Sequence, residues 1–211
     1  GGGLADESLL AADQDNAIIF EKGNSGGPED SYFAILGGHI ADILHEVGVP
    51  YCPGGVMARN DAWRGSVATW QQRVQDWISR SSPSDLMAVD IFFDLRGVHG
   101  QLALADSLWR FAYDAAKGQT AFAKLLVDAG GSVERGLGFL GGLRSRKGRI
   151  DLKKTGLFGI VSRARALSIC HHILERTTPA RLRGIRGLRI GAETDLDRLI
   201  DAHGIFLKFI L

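Results

Sequence analysis

The stretch AADQDNAIIF, residues 11–20, joins an acidic cluster to an apolar run. Ala17 to Phe20 are apolar and a turn-rich loop follows at 23–28, so residues 13–20 are predicted to form a buried strand. Side chains two apart on a strand point to the same side, which places Asp13 with Asp15 and turns Gln14 away. Two such carboxylates can bind metal ions, although acidic residues at a strand end are also common as solvated groups.

Outward from this strand, the apolar spacing predicts two helices. The first runs from Pro28 to Val47, where Gly48 and Pro50 end it, and its apolar residues are expected to cover the sheet. The second runs from Trp63 to Ile78, and its tryptophans are expected in the core rather than at a ligand. Between them, the apolar and glycine-bearing loop at 51–60 is expected to lie against the acidic segment.

The run MAVDIFFDL, residues 87–95, has the apolar and aromatic character of a second strand, which puts Asp94 at a strand end. Helices are predicted beyond it at about 101–116, 119–129, 158–175, 178–187 and 194–211, with a glycine-rich segment at 130–149. This order predicts an α+β fold, with a mixed sheet and helices in residues 1–98 and a helical region in residues 99–211.

Composition limits the class of protein. The chain has 211 residues and 45% apolar content, enough for a sizeable core, and no apolar run long enough to cross a membrane. No secretion signal is evident, so a cytoplasmic location without a membrane partner is expected. Cys52 and Cys170 lack the spacing of a zinc site and are expected to be buried thiols.

The net charge of +1 hides an asymmetry between the two parts of the chain. Up to Gly131 there are nine Lys or Arg against 17 Asp or Glu, and after it 16 against seven. The two parts either close around an anion or simply attract each other. Nucleic acid is not an expected partner, because no aromatic side chains are interleaved with the basic run at 144–154 and the acidic part would repel phosphates.

A third carboxylate strengthens the case for phosphate chemistry. Nucleotidyl transfer needs metal ions to neutralise the phosphate oxygens and to hold the attacking and leaving groups in line. Asp94 can bind such a metal or deprotonate an attacking hydroxyl. Arg96, two positions later, can contact phosphate oxygens or pair with an aspartate.

Several blocks, taken together, resemble one family. They are ESLLAADQDNAIIF from Glu7, PYCPGGVMARN from Pro50, the tryptophans at 70 and 77, IFFDLR from Ile91 and IDLKKTG from Ile150. They are similar to the bacterial nucleotidyltransferases related to the PII uridylyltransferases, in the subgroup found downstream of cyclic-nucleotide-binding and CBS domains. The D-x-R strand also resembles that of glutamine synthetase adenylyltransferase. The resemblance covers nearly the whole chain.

The resemblance implies a nucleotidyltransferase domain of the DNA polymerase β type in residues 1–98 and a helical substrate-binding domain in residues 99–211. It implies an NTP substrate, a protein or small-molecule acceptor, and Mg held by Asp13, Asp15 and Asp94. Asp94 is preferred to Asp90, whose inward charge within the strand would be costly to bury. The predicted nucleotide-binding residues are Gly1, Gly2, Asn16, Arg96, Lys153 and Lys154.

One stretch departs from the family pattern, which opens with a strand and Gly-Ser-x-Gly-Arg-x-Glu. Gly1 and Glu7 match it, whereas Gly2, Leu4 and Ala5 replace the serine, glycine and arginine. The chain also begins without Met, and a fragment with upstream sensory domains is expected. Two hypotheses follow: an active nucleotidyltransferase in signal transduction, or a catalytically impaired regulatory module that binds nucleotide or a partner.

Overall fold

The computed structural model describes residues 13–129 and 152–210, and the chain forms two compact units. The first unit takes in the chain up to Arg80 together with Ile91–Ala115. The second takes in Ser81–Asp90 and the chain from Ala116 onward. The chain therefore passes between the units more than once, and residue 98, the predicted domain boundary, lies within the first unit.

The described sheet of the first unit is small and parallel. Its strands are β1, Ile18–Phe20, and β2, Arg64–Ser66, with Ile18 opposite Arg64 and Phe20 opposite Ser66. An isolated parallel bridge joins Gln14 to Tyr51. The strand predicted over residues 13–20 is thus regular only in its last three residues, because the earlier ones bond to the loop that follows Pro50.

Helix α1, Pro28–Glu46, begins where predicted and ends one residue before the predicted Val47. Pro28 at its start and Glu29 and Asp30 in its first turn favour a helix N-terminus. Its packed face agrees only in part with the expected one: Phe33 stacks on Phe20 of β1, with ring centroids 4.9 Å apart, while other large apolar side chains are exposed. The buried positions are Asp30, Gly37 and Ala41, whereas the large apolar side chains at positions 36, 43 and 47 are 37%, 59% and 72% exposed. Gly37 lies on the packed face because the helix passes too close to the backbone at Ala58 for a larger side chain.

Helix α2, Val67–Arg80, begins later than predicted. Asp61–Trp63 form a short 3-10 turn, and the next three residues belong to β2, because pairing with β1 overrides the helical period there. Trp63, Trp70 and Trp77 are buried and contact one another, which confirms their predicted place in the core. The Trp70 Nε1–H donates to the carbonyl of Ile18 over 3.0 Å and fixes α2 against β1.

The strand predicted at residues 87–95 is wrong. Pro83–Phe92 form helix α3, and a turn follows in which the Asp94 N–H donates to the carbonyl of Ile91. Ser82 and Asp85 each accept a backbone hydrogen bond from the other, an arrangement that starts a helix. The buried residues Leu86, Val89, Phe92 and Phe93 then follow the helical period. Asp94 consequently lies beyond a helix and not at a strand end.

The remaining helices follow the predicted order. They are α4, Leu102–Ala116, α5, Thr120–Ala129, α6, Phe158–Cys170, α7, Thr178–Gly187, and α8, Glu193–Ile210. A π turn at Lys153–Leu157 leads into α6, which ends earlier than predicted, with His172 in the left-handed region at φ 53°. Ala164, Leu182, Ile185 and Leu196 form an apolar core in the second unit.

The predicted fold class is confirmed: an α+β unit with a small sheet, followed along the chain by a helical region. No helix among the described residues is both long and apolar enough to span a membrane. The glycine-rich segment predicted at 130–149 lies outside the described residues.

Candidate functional site

The site begins with the alternation of side chains along Asp13-Gln14-Asp15-Asn16. Gln14 is buried, and its Nε2 donates to the carbonyls of Ala41 at 3.0 Å and Val49 at 3.3 Å. The Asn16 Nδ2 donates to the Gln14 Oε1 over 3.1 Å, so the two amides share one side of the segment. The amides thus fix the segment, and the two aspartates that alternate with them remain for the site.

The loop at 51–60 packs directly on this segment, as the sequence predicts. The Gln14 N–H donates to the carbonyl of Pro50, and the Asn16 N–H to the carbonyl of Val56, each over 3.0 Å. The Asn16 Oδ1 accepts from the Ala58 N–H at 2.9 Å. Both ends of the loop are therefore held to the acidic segment by backbone and amide hydrogen bonds.

A buried ion pair holds the far side of the loop. The Arg64 Nε lies 2.8 Å from the Asp30 Oδ1, and both side chains are 10% exposed. The Arg64 Nη1 also donates to the carbonyl of Arg59 at 2.8 Å. One arginine on β2 therefore links the start of α1 to the loop.

The two aspartates meet a cysteine from the loop. One ligand atom each from Asp13, Asp15 and Cys52 lies within 4.8 Å of the others. Both carboxylate oxygens of Asp15 are buried, and no N–H or O–H group in the described part of the chain donates to them. The Cys52 thiol is the neighbouring group that can do so. Asp15 is thus an enclosed carboxylate with little compensation for its charge.

Electrostatics in the site follow from this enclosure. Burial raises the pKa of Asp15, the Cys52 thiol opposes that rise, and the Asp13 carboxylate adds to it. Burial also raises the pKa of Cys52, the nearby Asp15 raises it further, and the N–H groups of Val56 and Gly54 oppose both effects. Negative charge on either group is therefore disfavoured until a cation arrives.

The donor atoms fit a divalent cation. Carboxylate oxygens are the hard ligands that Mg²⁺ prefers, and the unpaired oxygens of Asp15 provide the unbalanced negative charge that a cation would neutralise. Asp13 and Asp15 are the residues that can hold Mg²⁺, whereas a thiol is a ligand for softer ions. Cys52 is the site residue that the sequence did not reveal, because it lacks a Cys-x-x-Cys partner and reaches the aspartates only through the pairing of Gln14 with Tyr51.

Among the other predicted site residues within the described part of the chain, Asn16 is the one that lies beside the two aspartates. Asp94 belongs to the same unit but is outside the group of Asp13, Asp15 and Cys52, and Arg96 is exposed. Asn16 is at the site, with its amide bonded to Gln14 and Ala58. Lys153 is an exposed residue of the second unit, and Lys154 lies in the same π turn. Gly1 and Gly2 lie outside the described residues.

Asp90, the rejected competitor of Asp94, has a structural partner. Its Oδ2 forms an ion pair with the Arg165 Nη1 of α6, whose side chain is 5% exposed. Both residues belong to the second unit. Asp90 therefore joins α3 to α6 and is not one of the carboxylates grouped around Asp15.

Comparison with protein families identifies the class. A model described as "Putative nucleotidyltransferase DUF294" matches residues 6–84, which include Asp13, Asp15 and Cys52. A second, described as "Putative nucleotidyltransferase substrate binding domain", matches residues 120–211. No curated protein and no solved structure matches the chain.

Fold, site and matches together define a transferase of the nucleotidyltransferase class with a helical substrate-binding region. The chain belongs to the nucleotidyltransferase family that the two models describe, which confirms the resemblance at family level. Asp94 and Arg96 fall between the two matched ranges.

Proposed function

We propose that the protein transfers a nucleoside monophosphate from a Mg-bound NTP to a hydroxyl group of a protein or small-molecule acceptor. The observation that carries this proposal is the Asp13–Asp15 pair, in which both carboxylate oxygens of Asp15 are buried, in a chain of the nucleotidyltransferase family. Paired carboxylates are the ligands that such a reaction needs, because charge on the phosphates must be neutralised by metal ions.

In the proposed reaction the acceptor oxygen forms a bond to the α-phosphorus, and the bond from that phosphorus to pyrophosphate breaks. Bound Mg²⁺ supplies charge neutralisation and in-line alignment. Asp13 and Asp15 hold the ion, and Gln14 and Asn16 keep their backbone in place. We assign Asp94 to accept the hydroxyl proton or to assist metal binding, a role that rests on the resemblance.

Contacts to the nucleotide are assigned on the same basis. Arg96 offers a planar guanidinium for phosphate oxygens. Asn16, Lys153 and Lys154 are further nucleotide-binding residues, and Gly1 and Gly2 would border the phosphates. The related PII uridylyltransferases suggest UTP as the first nucleotide to test. Upstream CBS and cyclic-nucleotide-binding domains would couple transfer to a signal.

The test is pyrophosphate release and incorporation of α-labelled nucleotide, with Mg²⁺, four NTPs and a panel of protein and small-molecule hydroxyl acceptors. Asp13→Asn and Asp15→Asn should each reduce turnover at least ~100-fold, as expected for loss of a metal ligand in the transition state. Asp128→Asn, an exposed carboxylate on α5, is the matched control and should retain activity. Full activity in both site variants would refute the assignment.

A second candidate function is supported by the changed residues Gly2, Leu4 and Ala5, which lack the family's serine, glycine and arginine. On this alternative the chain binds nucleotide or a partner protein and reports a signal without transfer. Calorimetry separates the two functions. NTP binding without pyrophosphate release across the acceptor panel favours the regulatory module, and turnover eliminates it.

A further inference from the structure

A sulfur atom stands beside the two carboxylates of the candidate metal site. The ligand atoms of Asp13, Asp15 and Cys52 lie within 4.8 Å of one another. Around one tetrahedral ion, with bonds of about 2.0–2.3 Å, ligand atoms stand roughly 3.5 Å apart. Small movements of the three side chains would therefore close them around a single ion.

The enclosure of the group points independently to a cation. Both Asp15 oxygens are buried and receive no hydrogen bond from a described N–H or O–H group. Cys52 is only 8% exposed, and it faces the same aspartate. An enclosed ionised carboxylate whose neighbouring donor is a weak thiol is costly, and a bound cation removes that cost. The cation would have oxygen ligands on one side and sulfur on the other.

We infer that Asp13, Asp15 and Cys52 form a three-ligand site for a thiophilic divalent cation of the zinc class. Thiolate sulfur favours ions such as Zn²⁺ and Cd²⁺ and is a poor ligand for Mg²⁺. As the sulfur–metal bond forms, the thiol proton passes to solvent. The inference rests on the proposed function only for its consequence: an ion that occupies both aspartates excludes Mg²⁺ and stops nucleotidyl transfer.

The experiment is a titration of the metal-free full chain with Cd²⁺, followed by the ultraviolet thiolate-to-cadmium charge-transfer band and by equilibrium dialysis. The wild-type chain should bind one Cd²⁺ with this band. Cys52→Ser should lose the band and bind Cd²⁺ at least ~10-fold more weakly, since even the loss of a supporting residue around a metal has an effect of that size. Cys170→Ser is the matched control, because Cys170 is the other cysteine, half-buried at the end of α6.

Three results would overturn the inference: no charge-transfer band in the wild-type chain, unchanged Cd²⁺ binding in Cys52→Ser, or loss of the band in Cys170→Ser. Zinc X-ray absorption on the unmodified chain tests it without a variant. We expect one sulfur neighbour together with oxygens, and a shell without sulfur would refute the site. A chain that binds Cd²⁺ through Cys52 but releases no pyrophosphate with Mg²⁺ would refute the proposed function and leave this inference intact.

Discussion

At the scale of single residues, the fold disfavours the negative charge of Asp15. Its pKa is raised by burial, so the folded metal-free chain holds a proton on this group at a pH where the unfolded chain has released it. The contribution of Asp15 to folding stability is therefore fully present below the ordinary Asp pKa of about 3.9 and is lost as the pH rises through the folded value.

Asp15→Asn removes the loss of folding stability that Asp15 causes as the pH rises. We expect the melting temperature of the metal-free variant to equal or exceed that of the wild type, with a difference that grows as the pH rises above about 4. Saturating metal should reverse the order, because only the wild type keeps both carboxylate ligands. Differential scanning fluorimetry across pH, with Asp128→Asn as control, measures the effect. A difference that shrinks with rising pH would contradict it.

For single residues, the sequence-based prediction agrees with the structure where the position of a side chain depends only on its neighbours in the chain. The two-residue repeat of an extended segment was enough to place Asp13 with Asp15, and the structure brings their carboxylates together. Cys52 was missed because its position depends on a pairing between distant parts of the chain, Gln14 with Tyr51. Sequence rules for metal ligands use the spacing between nearby residues, so they do not detect a thiol that strand pairing brings close from a distant part of the chain.

At the scale of elements, α1 and the loop at 51–60 meet through a glycine. A Cβ built on Gly37 would stand 2.7 Å from the carbonyl carbon of Ala58, whereas one on Gly38 would meet nothing within 4 Å. Gly37→Ala should therefore lower the free energy of unfolding by about 1–3 kcal/mol through overpacking. Gly38→Ala should change it little or raise it by up to about 1 kcal/mol, since alanine favours a helix.

Urea denaturation of the Gly37 and Gly38 variants gives the comparison, and metal affinity gives a second measurement. Because Ala58 also donates to Asn16, movement of the loop in Gly37→Ala should weaken metal binding as well. Equal stability in the two variants would show that α1 does not press on the loop.

The ion pair of α3 with α6 offers another test. Arg165 is almost fully buried, so Asp90→Ala should remove the carboxylate that faces a buried charge and cost about 3 kcal/mol. Asp197→Ala breaks the exposed pair with Arg186 and should cost at most about 1 kcal/mol. Chemical denaturation measures both, and an Asp90→Ala cost as small as that of Asp197→Ala would refute a structural role for the buried pair.

The elements also show where sequence patterns misled. For helix α1 the sequence predicts the start correctly and the end to within one residue, and Phe33 packs on β1 as expected. At Gly37, close approach to a backbone selects a small residue over a large apolar one. The run at 87–95 is apolar enough for a strand, yet the reciprocal bonds of Ser82 and Asp85 start a helix just before it. The capping hydrogen bonds, and not the apolar content, therefore indicate that this segment is a helix.

At the scale of the whole molecule, the candidate metal site belongs to one of two compact units. Metal binding should therefore stabilise the first unit selectively. At 100 times its dissociation constant a ligand adds about 2.7 kcal/mol, or roughly 100-fold slower exchange for amides that must open with the site. The amides of Gln14, Asn16 and Ala58 should show this slowing, because their hydrogen bonds hold the site together.

Hydrogen exchange with and without Mg²⁺ measures this protection. Amides of α7, in the core of the second unit, serve as the internal control and should exchange at the same rate in both conditions. Equal slowing throughout the chain would mean that the two units open as one.

Along residues 13–16 the odd positions carry the candidate metal ligands, and the even positions carry the amides that hold the backbone. The Gln14 slot is lined by two carbonyl oxygens, those of Ala41 and Val49, and is built for a hydrogen-bond donor. Inserting one residue just after Asn16, while β1 and the loop stay in place, would move Asp15 toward those oxygens and Gln14 to the side of the candidate metal site. A change in length by one residue would therefore swap the positions of the carboxylates and the amides together, which no single substitution in the segment would do.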